Sequence, residues 1–423
     1  MRMILLCGGG GKRLWPISNN VHSKQFIQLF DDGNGGYQSM LEMVISEIRM
    51  INPDQQVTIA SGRVQTEEVR SQLGFDVSMT EEPSRRNTFP AISLAATYLK
   101  DHDKVDPEEP VVIFSVDSYA DHSFYQKLFQ LAEIVESGRA NLVLMGIEPT
   151  YPSDKFGYII PADNSEISDV KEFKEKPDVE TARKYIEEEH ALWNAGVFAC
   201  RLKYLLQRAE RVFGSNSYSH LVAHYPELKM ISFDYAVVEK ESSRAVVRYN
   251  GTWTDAASWN AMADLLHDQP IGQVYEEECQ NTFIVNHLDM PILAIGVEDL
   301  IVAAGRDGIL LCNKKDGSKL KSVVDQVWFE PRVIGKRYGG KEVLYRTPTS
   351  ETSLLTVRAG SSVTIKTSLG VRKTLTVLKG AGEALKPGKI FTIQDGEKWQ
   401  INAETDLQLI ETMIEFEIEP EEE

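Results

Sequence analysis

Cysteine is scarce in this 423-residue chain, and Cys7, Cys200, Cys279 and Cys312 are too widely spaced for a CxxC pair or a zinc-ligand pattern. That excludes a disulfide framework and a zinc module. It leaves free, mostly buried thiols, with the reducing cytoplasm as the expected setting. Long apolar runs are also missing. The opening MRMILLCGGGGKR breaks into glycines and charges after a few apolar residues, too soon for a signal peptide or a membrane span. Basic charge is in deficit: 45 Lys and Arg face 63 Asp and Glu, a net charge of −18 to which the terminal EIEPEEE adds. Such a surface repels polyanions, so neither nucleic acid nor an anionic membrane is expected as a partner. Histidine stops at His287, so the last 136 residues cannot build a His-ligated metal site.

What is present has the length of two or three domains. Apolar runs at Met3 to Cys7, Val57 to Ala60, Val111 to Ser115 and Leu142 to Gly146 read as buried strands. Helical spacing lies between them, at Met40, Val44, Ile48 and at Leu94, Ala95, Tyr98. Strand alternating with helix predicts an α/β fold: a Rossmann-like, mostly parallel mixed sheet with helices on both faces. After about Gly157 the alternation becomes irregular up to Leu266, and this part reads as a substrate-binding half. Beyond Ile271 period-two stretches take over (SSVTIKT, KTLTVLK, KIFTIQD, WQIN), which predicts a small all-β tail. The boundary falls near Asp268 to Ile271.

Four glycines, Gly8 to Gly11, directly follow the first strand, with Lys12 and Arg13 behind them. Glycine lets backbone amides turn onto phosphate oxygens, and the cations add charge, so a triphosphate loop is the functional reading; a tight strand-to-helix turn is the structural alternative. The loop is neither GxxxxGK[ST] nor GxGxxG, which speaks against a P-loop or a dinucleotide enzyme. Asp117 sits just past the carboxyl end of a strand, where open α/β sheets bind ligands. Asp255 lies in a turn-like stretch between Trp253 and Trp259. Two carboxylates meeting at a triphosphate suit Mg²⁺, which keeps waters and takes few protein ligands.

The stretch GG-x-G-x-RLWP followed by KQF resembles the opening of the mannose-1-phosphate guanylyltransferases, within the wider sugar nucleotidyltransferases. EEPSRRNTFPAI resembles a segment particular to that family. FSVDSYAD, GIEPTYPSDKFGYI, FKEKP, WNAGVF, FDYAVVEK and WTDAASW then follow in family order, so the resemblance covers Met1 to about Leu266. It implies transfer of a nucleotidyl group, GMP from GTP, onto a sugar 1-phosphate, mannose 1-phosphate first, with pyrophosphate leaving. It implies Asp117 and Asp255 as ligands of Mg²⁺, with Arg13 and Lys24 as catalytic cations facing the β and γ phosphates. The nucleotide would be held by Leu6, Gly8, Gly9, Gly11, Lys12, Arg13, Arg86, Asn87 and Thr88, and the sugar phosphate by Gly157, Tyr158, Glu175, Lys176, Asn194 and Gly196. No general base is needed, because a phosphate monoester with its second pKa at ~6 is already largely dianionic at neutral pH.

The departures bear on specificity. Gly10 and Lys12 replace a serine and a threonine usual in the loop, Ser23 a proline, Ser118 a histidine, and Ala256 to Trp259 a VGSW stretch. They leave room for a heptose, deoxyhexose or glucose phosphate, or another base. The tail resembles a shrunken cupin whose histidine-bearing strand has become RAGSSVTIKTS, so isomerase activity is expected to be absent and the tail to be structural or oligomerising, in a homodimer. The implied organisation is a catalytic domain at 1–268, a short β connector at 269–330 and a cupin-like domain at 331–423. Two rival classes remain: a nucleotide-sugar-binding regulator without turnover, and a DxD glycosyltransferase, which would leave the glycine loop and Lys176 without a task.

Overall fold

A computed structural model of the chain describes residues 1–19, 22–63, 65–74, 77–327, 330–336 and 338–416. The acidic EIEPEEE segment at 417–423 lies outside the described residues. The chain divides into two compact units: Met1–Gly9 with Lys24–His267, and Gly10–Ser23 with Asp268–Glu423.

The first unit is built on a nine-stranded sheet in the order Ser78–Glu82, Val57–Gly62, Arg2–Leu6, Pro110–Ser115, Leu192–Arg201, Leu142–Ile147, Arg244–Tyr249, Ile167–Lys174, Tyr158–Pro161. Leu192–Arg201 and Ile167–Lys174 run against the rest, so the sheet is mixed but mostly parallel. Val111, Val112 and Ile113 are all fully buried, as a strand covered on both faces requires. The helices Thr88–Asp101 and Leu202–Phe213 pack with Ile4, Ile113 and Leu144 in one core cluster, and His122–Glu136 packs on four strands of the same sheet, Pro110–Ser115, Leu192–Arg201, Leu142–Ile147 and Arg244–Tyr249. The helix Met40–Ile51 opens with a capping box: Ser39 accepts from the Glu42 amide while Glu42 accepts from the Ser39 amide.

The second unit begins with a departure from the expected 1–268 domain, because Gly10–Ser23 belongs to it. A Cβ on Gly308 would lie 2.6 Å from the Trp15 ring, and one on Gly305 would lie 3.2 Å from the Pro16 carbonyl oxygen. These contacts are tertiary and leave no trace in local sequence. Short parallel strands then pair Val274 with Ile292 and Phe283 with Ile301, and a bridge pairs Gln280 with Glu298. Each of these three pairings spans 18 residues, while the parallel bridge between Ile271 and Val285 spans 14. The expected all-β connector also holds a helix, Leu320–Gln326, with Leu320 and Val324 buried one turn apart. The tail packs a six-stranded antiparallel sheet and the pair Ser362–Lys366 with Lys398–Asn402 around Leu355, Val357, Leu375, Val377, Ile401 and Leu409. No helix among the described residues is long and apolar enough to cross a membrane.

Candidate active site

Register brings the predicted residues of the first unit to one edge of its sheet. Leu6 pairs with Ser115, so the parallel strands Arg2–Leu6 and Pro110–Ser115 end level, while Val57–Gly62, paired through Ala60, runs two residues further. One then runs into Gly8 and Gly9, another into Asp117. The carbonyls of this turn are held by side chains: Gln25 donates to Cys7 O at 3.2 Å, and Gln65 and Arg85 both donate to Gly9 O at 3.0 Å. Sequence reasoning did not single out these three residues; Gln25 lay inside the KQF match and Arg85 inside EEPSRRNTFPAI, whereas Gln65 carried no signal. Beside them Glu82 accepts from the Tyr225 hydroxyl at 2.7 Å, and burial raises its carboxyl above the usual range.

Asp255 lies in a strand, which corrects the turn-like reading. Trp253–Asp255 pairs antiparallel with Ser118–Ala120, and Asp255 sits opposite Ser118, next to Asp117. The three-residue strand is too short to show a period in the sequence; its long-range ladder defines it. Lys24 reaches between the two aspartates, its Nζ 3.4 Å from Asp117 Oδ2 and 3.9 Å from Asp255 Oδ1, and it also donates to the Asp117 carbonyl. A half-buried ammonium between two carboxylates offsets their mutual repulsion. Among the described residues no group of three or more metal-ligating side chains occurs.

A second cluster gathers the predicted sugar-phosphate residues. Strand Leu192–Arg201 bulges between Asn194 and Phe198, where Gly196 donates its amide to Asn194 Oδ1. Asn194 Nδ2 donates to Asp234 Oδ1 at 2.9 Å, and Lys176 pairs with the buried Glu175. Gly157 leaves room for Glu175 in its present position, since a Cβ there would lie 2.6 Å from Glu175 Oε2. Asp234, missed as a site residue inside the FDYAVVEK match, has its carboxyl pushed up to about 6 by burial and then by the Glu175 charge. Burial works against Lys176, but its bond to Glu175 and the neighbouring charges hold its ammonium above the usual value.

Other predicted residues have structural tasks. Tyr158 is corrected from site to core: it is fully buried, its hydroxyl accepting from the Ser153 amide and Trp193 Nε1 and donating to Ser153 O. Asn87 caps Thr88–Asp101, Thr88 accepts from the Phe233 amide, and Arg86 donates to Pro226 O. Gly11, Lys12 and Arg13 lie in the short turn Gly11–Leu14 of the second unit. Cys7 is buried and its thiol pushed up to about 12, and burial raises Cys200 likewise, which removes both as nucleophiles.

Comparison with known proteins agrees in fold and extent. The sequence model described as Nucleotidyl transferase matches residues 2–269. A mannose-1-phosphate guanylyltransferase of Salmonella muenchen is 27% identical over 95% of this chain and 90% of its own length. The mannose-1-phosphate guanylyltransferase RfbM of Salmonella typhimurium strain LT2 is 30% identical over 76% of this chain and 71% of its own. A crystal structure described as a mannose-1-phosphate geranyltransferase from Thermus thermophilus superposes with a TM-score of 0.65 at 26% identity, covering 77% of this chain and 99% of that one. With a nine-stranded sheet that presents a glycine turn and two facing aspartates at one edge, and a family match over the same residues, the chain belongs to the nucleotidyl transferase family.

Proposed function

We propose that the protein transfers GMP from GTP to mannose 1-phosphate, releasing pyrophosphate and forming GDP-mannose. The observation that carries this reading is the ladder of Trp253–Asp255 on Ser118–Ala120, which sets two carboxylates about Lys24 at the edge where the glycine turn leaves the sheet. A pair of carboxylates without further ligands fits Mg²⁺, which takes one or two protein carboxylates and completes its shell with water and phosphate oxygens. Asp117 and Asp255 would hold it, and it would neutralise charge on the phosphates. Lys24 is the cation that this unit itself supplies there, and Arg13, by its motif, is the second. Lys176 faces the sugar phosphate; Glu175, Asn194 and Asp234 supply acceptors and donors for sugar hydroxyls, with the backbone of Gly157 and Gly196 beside them.

A sugar-phosphate oxygen attacks the α-phosphorus, the bond to the β-phosphate oxygen breaks, and the electron pair leaves with pyrophosphate. The nucleophile is already an anion, so catalysis is alignment plus charge neutralisation. The test is pyrophosphate release from four triphosphates against mannose, glucose, N-acetylglucosamine and heptose 1-phosphates with Mg²⁺. GTP with mannose 1-phosphate should turn over fastest. Asp117→Asn should lower kcat/KM by on the order of a hundredfold or more. Turnover only with another pair would move the substrate assignment, and none with any pair would leave a silent regulator.

The same reading includes a homodimer. Tyr275, Leu293 and Ile295 share one face of a strand pair and are each about two-thirds exposed, apolar area that a second copy would cover. Leu293→Lys should shift the wild-type dimer to monomer in sedimentation analysis.

A further inference from the structure

The ammonium of Lys12 is engaged inside the second unit. Its Nζ lies 2.6 Å from Asp325 Oδ1 on the helix Leu320–Gln326, which packs against the turn Gly11–Leu14. The same loop is fastened again further on: Asn19 Nδ2 donates to Asp307 Oδ2 at 2.8 Å, and Asp307 also accepts from the Arg332 amide at 2.6 Å. Between these anchors Trp15 lies against Gly308 and Leu14 is buried. A Cβ on Gly11 would lie 1.8 Å from the Asn19 carbonyl oxygen, so the loop is closed tightly on itself.

We propose that Asp325 is a positioning residue for the triphosphate loop, acting through Lys12, and that Lys12 is a strut of that loop and not a phosphate ligand. The proposal rests on the nucleotidyltransferase reading and deepens it. An ammonium bonded to a carboxylate offers a triphosphate little net charge. Lys321 also lies near, 3.5 Å from Asp325 Oδ2, so the carboxylate remains paired on both oxygens. The two roles for Lys12 have opposite signs. Were Lys12 a phosphate ligand, Asp325 would compete with the triphosphate, and its removal would tighten binding. For a strut, loss of either partner loosens the loop and weakens binding.

The experiment compares wild type with Asp325→Asn, Asp325→Glu, Lys12→Met and the exchanged pair K12D/D325K, measuring KM for GTP and kcat at saturating mannose 1-phosphate. Both side chains are about two-fifths exposed, so solvent screens the pair and limits the effect. D325N and K12M should each raise KM about three- to fivefold with kcat within about twofold. D325E and the exchanged pair should return KM to within about twofold of wild type. A lower KM for D325N, unchanged KM in both single variants, or an exchanged pair worse than either single would overturn the proposal. Calorimetric binding of GTP to the same proteins separates the two levels. If wild type releases no pyrophosphate with any substrate pair, the catalytic reading fails, and the pattern of GTP dissociation constants still decides the strut.

Discussion

Asp234 is a residue whose chemistry is set by its surroundings. Its carboxyl is pushed up to about 6 from an ordinary value near 3.8, by burial first and by the Glu175 charge second. A raised folded pKa means that the folded chain keeps this proton where the unfolded chain has lost it. Its contribution to stability is therefore complete below about pH 4 and lost as pH rises to about 6. Asp234→Asn keeps an acceptor for Asn194 and cannot ionise. The variant should gain stability relative to wild type between pH 4 and 6, by at most about 3 kcal/mol, with no further change above about pH 7. Urea unfolding of both proteins at four pH values measures this, and a difference that stays constant from pH 4 to 7 would refute it. The FDYAVVEK match contained Asp234, yet a helix of four residues has no period from which the direction of its carboxyl could be read. Lys24, Asp117 and Asp255 were legible because their motifs name them; Gln65 was not, since a single glutamine bonding a distant backbone carbonyl has no sequence signature.

At the scale of elements, legibility followed how far the stabilising partner lies along the chain. The strands near Met3, Val57, Val111 and Leu142 are apolar throughout because both faces are covered, and that shows locally. Trp253–Asp255 and Leu320–Gln326 exist through partners far away, and neither was anticipated. The tail adds a case in which alternation was legible but its content was not. Lys341, Lys373, Glu351 and Glu411 alternate in phase with the buried apolar residues of their strands, so the inward face is apolar at one end and ionic at the other. Glu411 is 4% exposed and takes Lys341 at 3.1 Å and Lys373 at 3.3 Å. Glu351 bonds Lys341 and Arg346; burial would raise its carboxyl, but these bonds hold it down to about 2. Removing one partner of a buried ionic cluster leaves charge uncompensated. Glu411→Leu should therefore cost about 2–4 kcal/mol despite its apolar side chain, while E411L combined with K373M should recover part of it. Thermal unfolding checks this, and a Glu411→Leu melting temperature equal to wild type would rule the cluster out as a source of stability.

For the whole molecule, the sequence suggests a catalytic domain that ends at 268, and the compact units divide the chain differently. Gly10–Ser23, the middle of the glycine-loop motif, packs with residues after Asp268. Leu14 and Ile17 are buried there, Trp15 covers Gly308, Lys12 bonds Asp325 and Asn19 bonds Asp307. A chain cut after residue 268 loses every one of these partners while keeping all the residues of the loop. Apolar side chains would then face water, and a loop that must place Arg13 would be free to wander. A misplacement of about 1 Å at a reacting centre costs roughly a hundredfold in rate. The shortened protein should therefore bind triphosphate poorly and release pyrophosphate at roughly a hundredth of the full-length rate or less. A chain cut after residue 336 retains Asp307, Gly308, Asp325 and Arg332 and dispenses with most of the all-β tail. It should keep turnover within about tenfold of full length, because only the loss of tail packing separates the two. Pyrophosphate release by the three proteins, with circular dichroism to confirm that each is folded, separates the possibilities. Equal activity in the chain ending at 268 would mean that the glycine loop organises itself, and that the packing of Gly10–Ser23 serves stability alone.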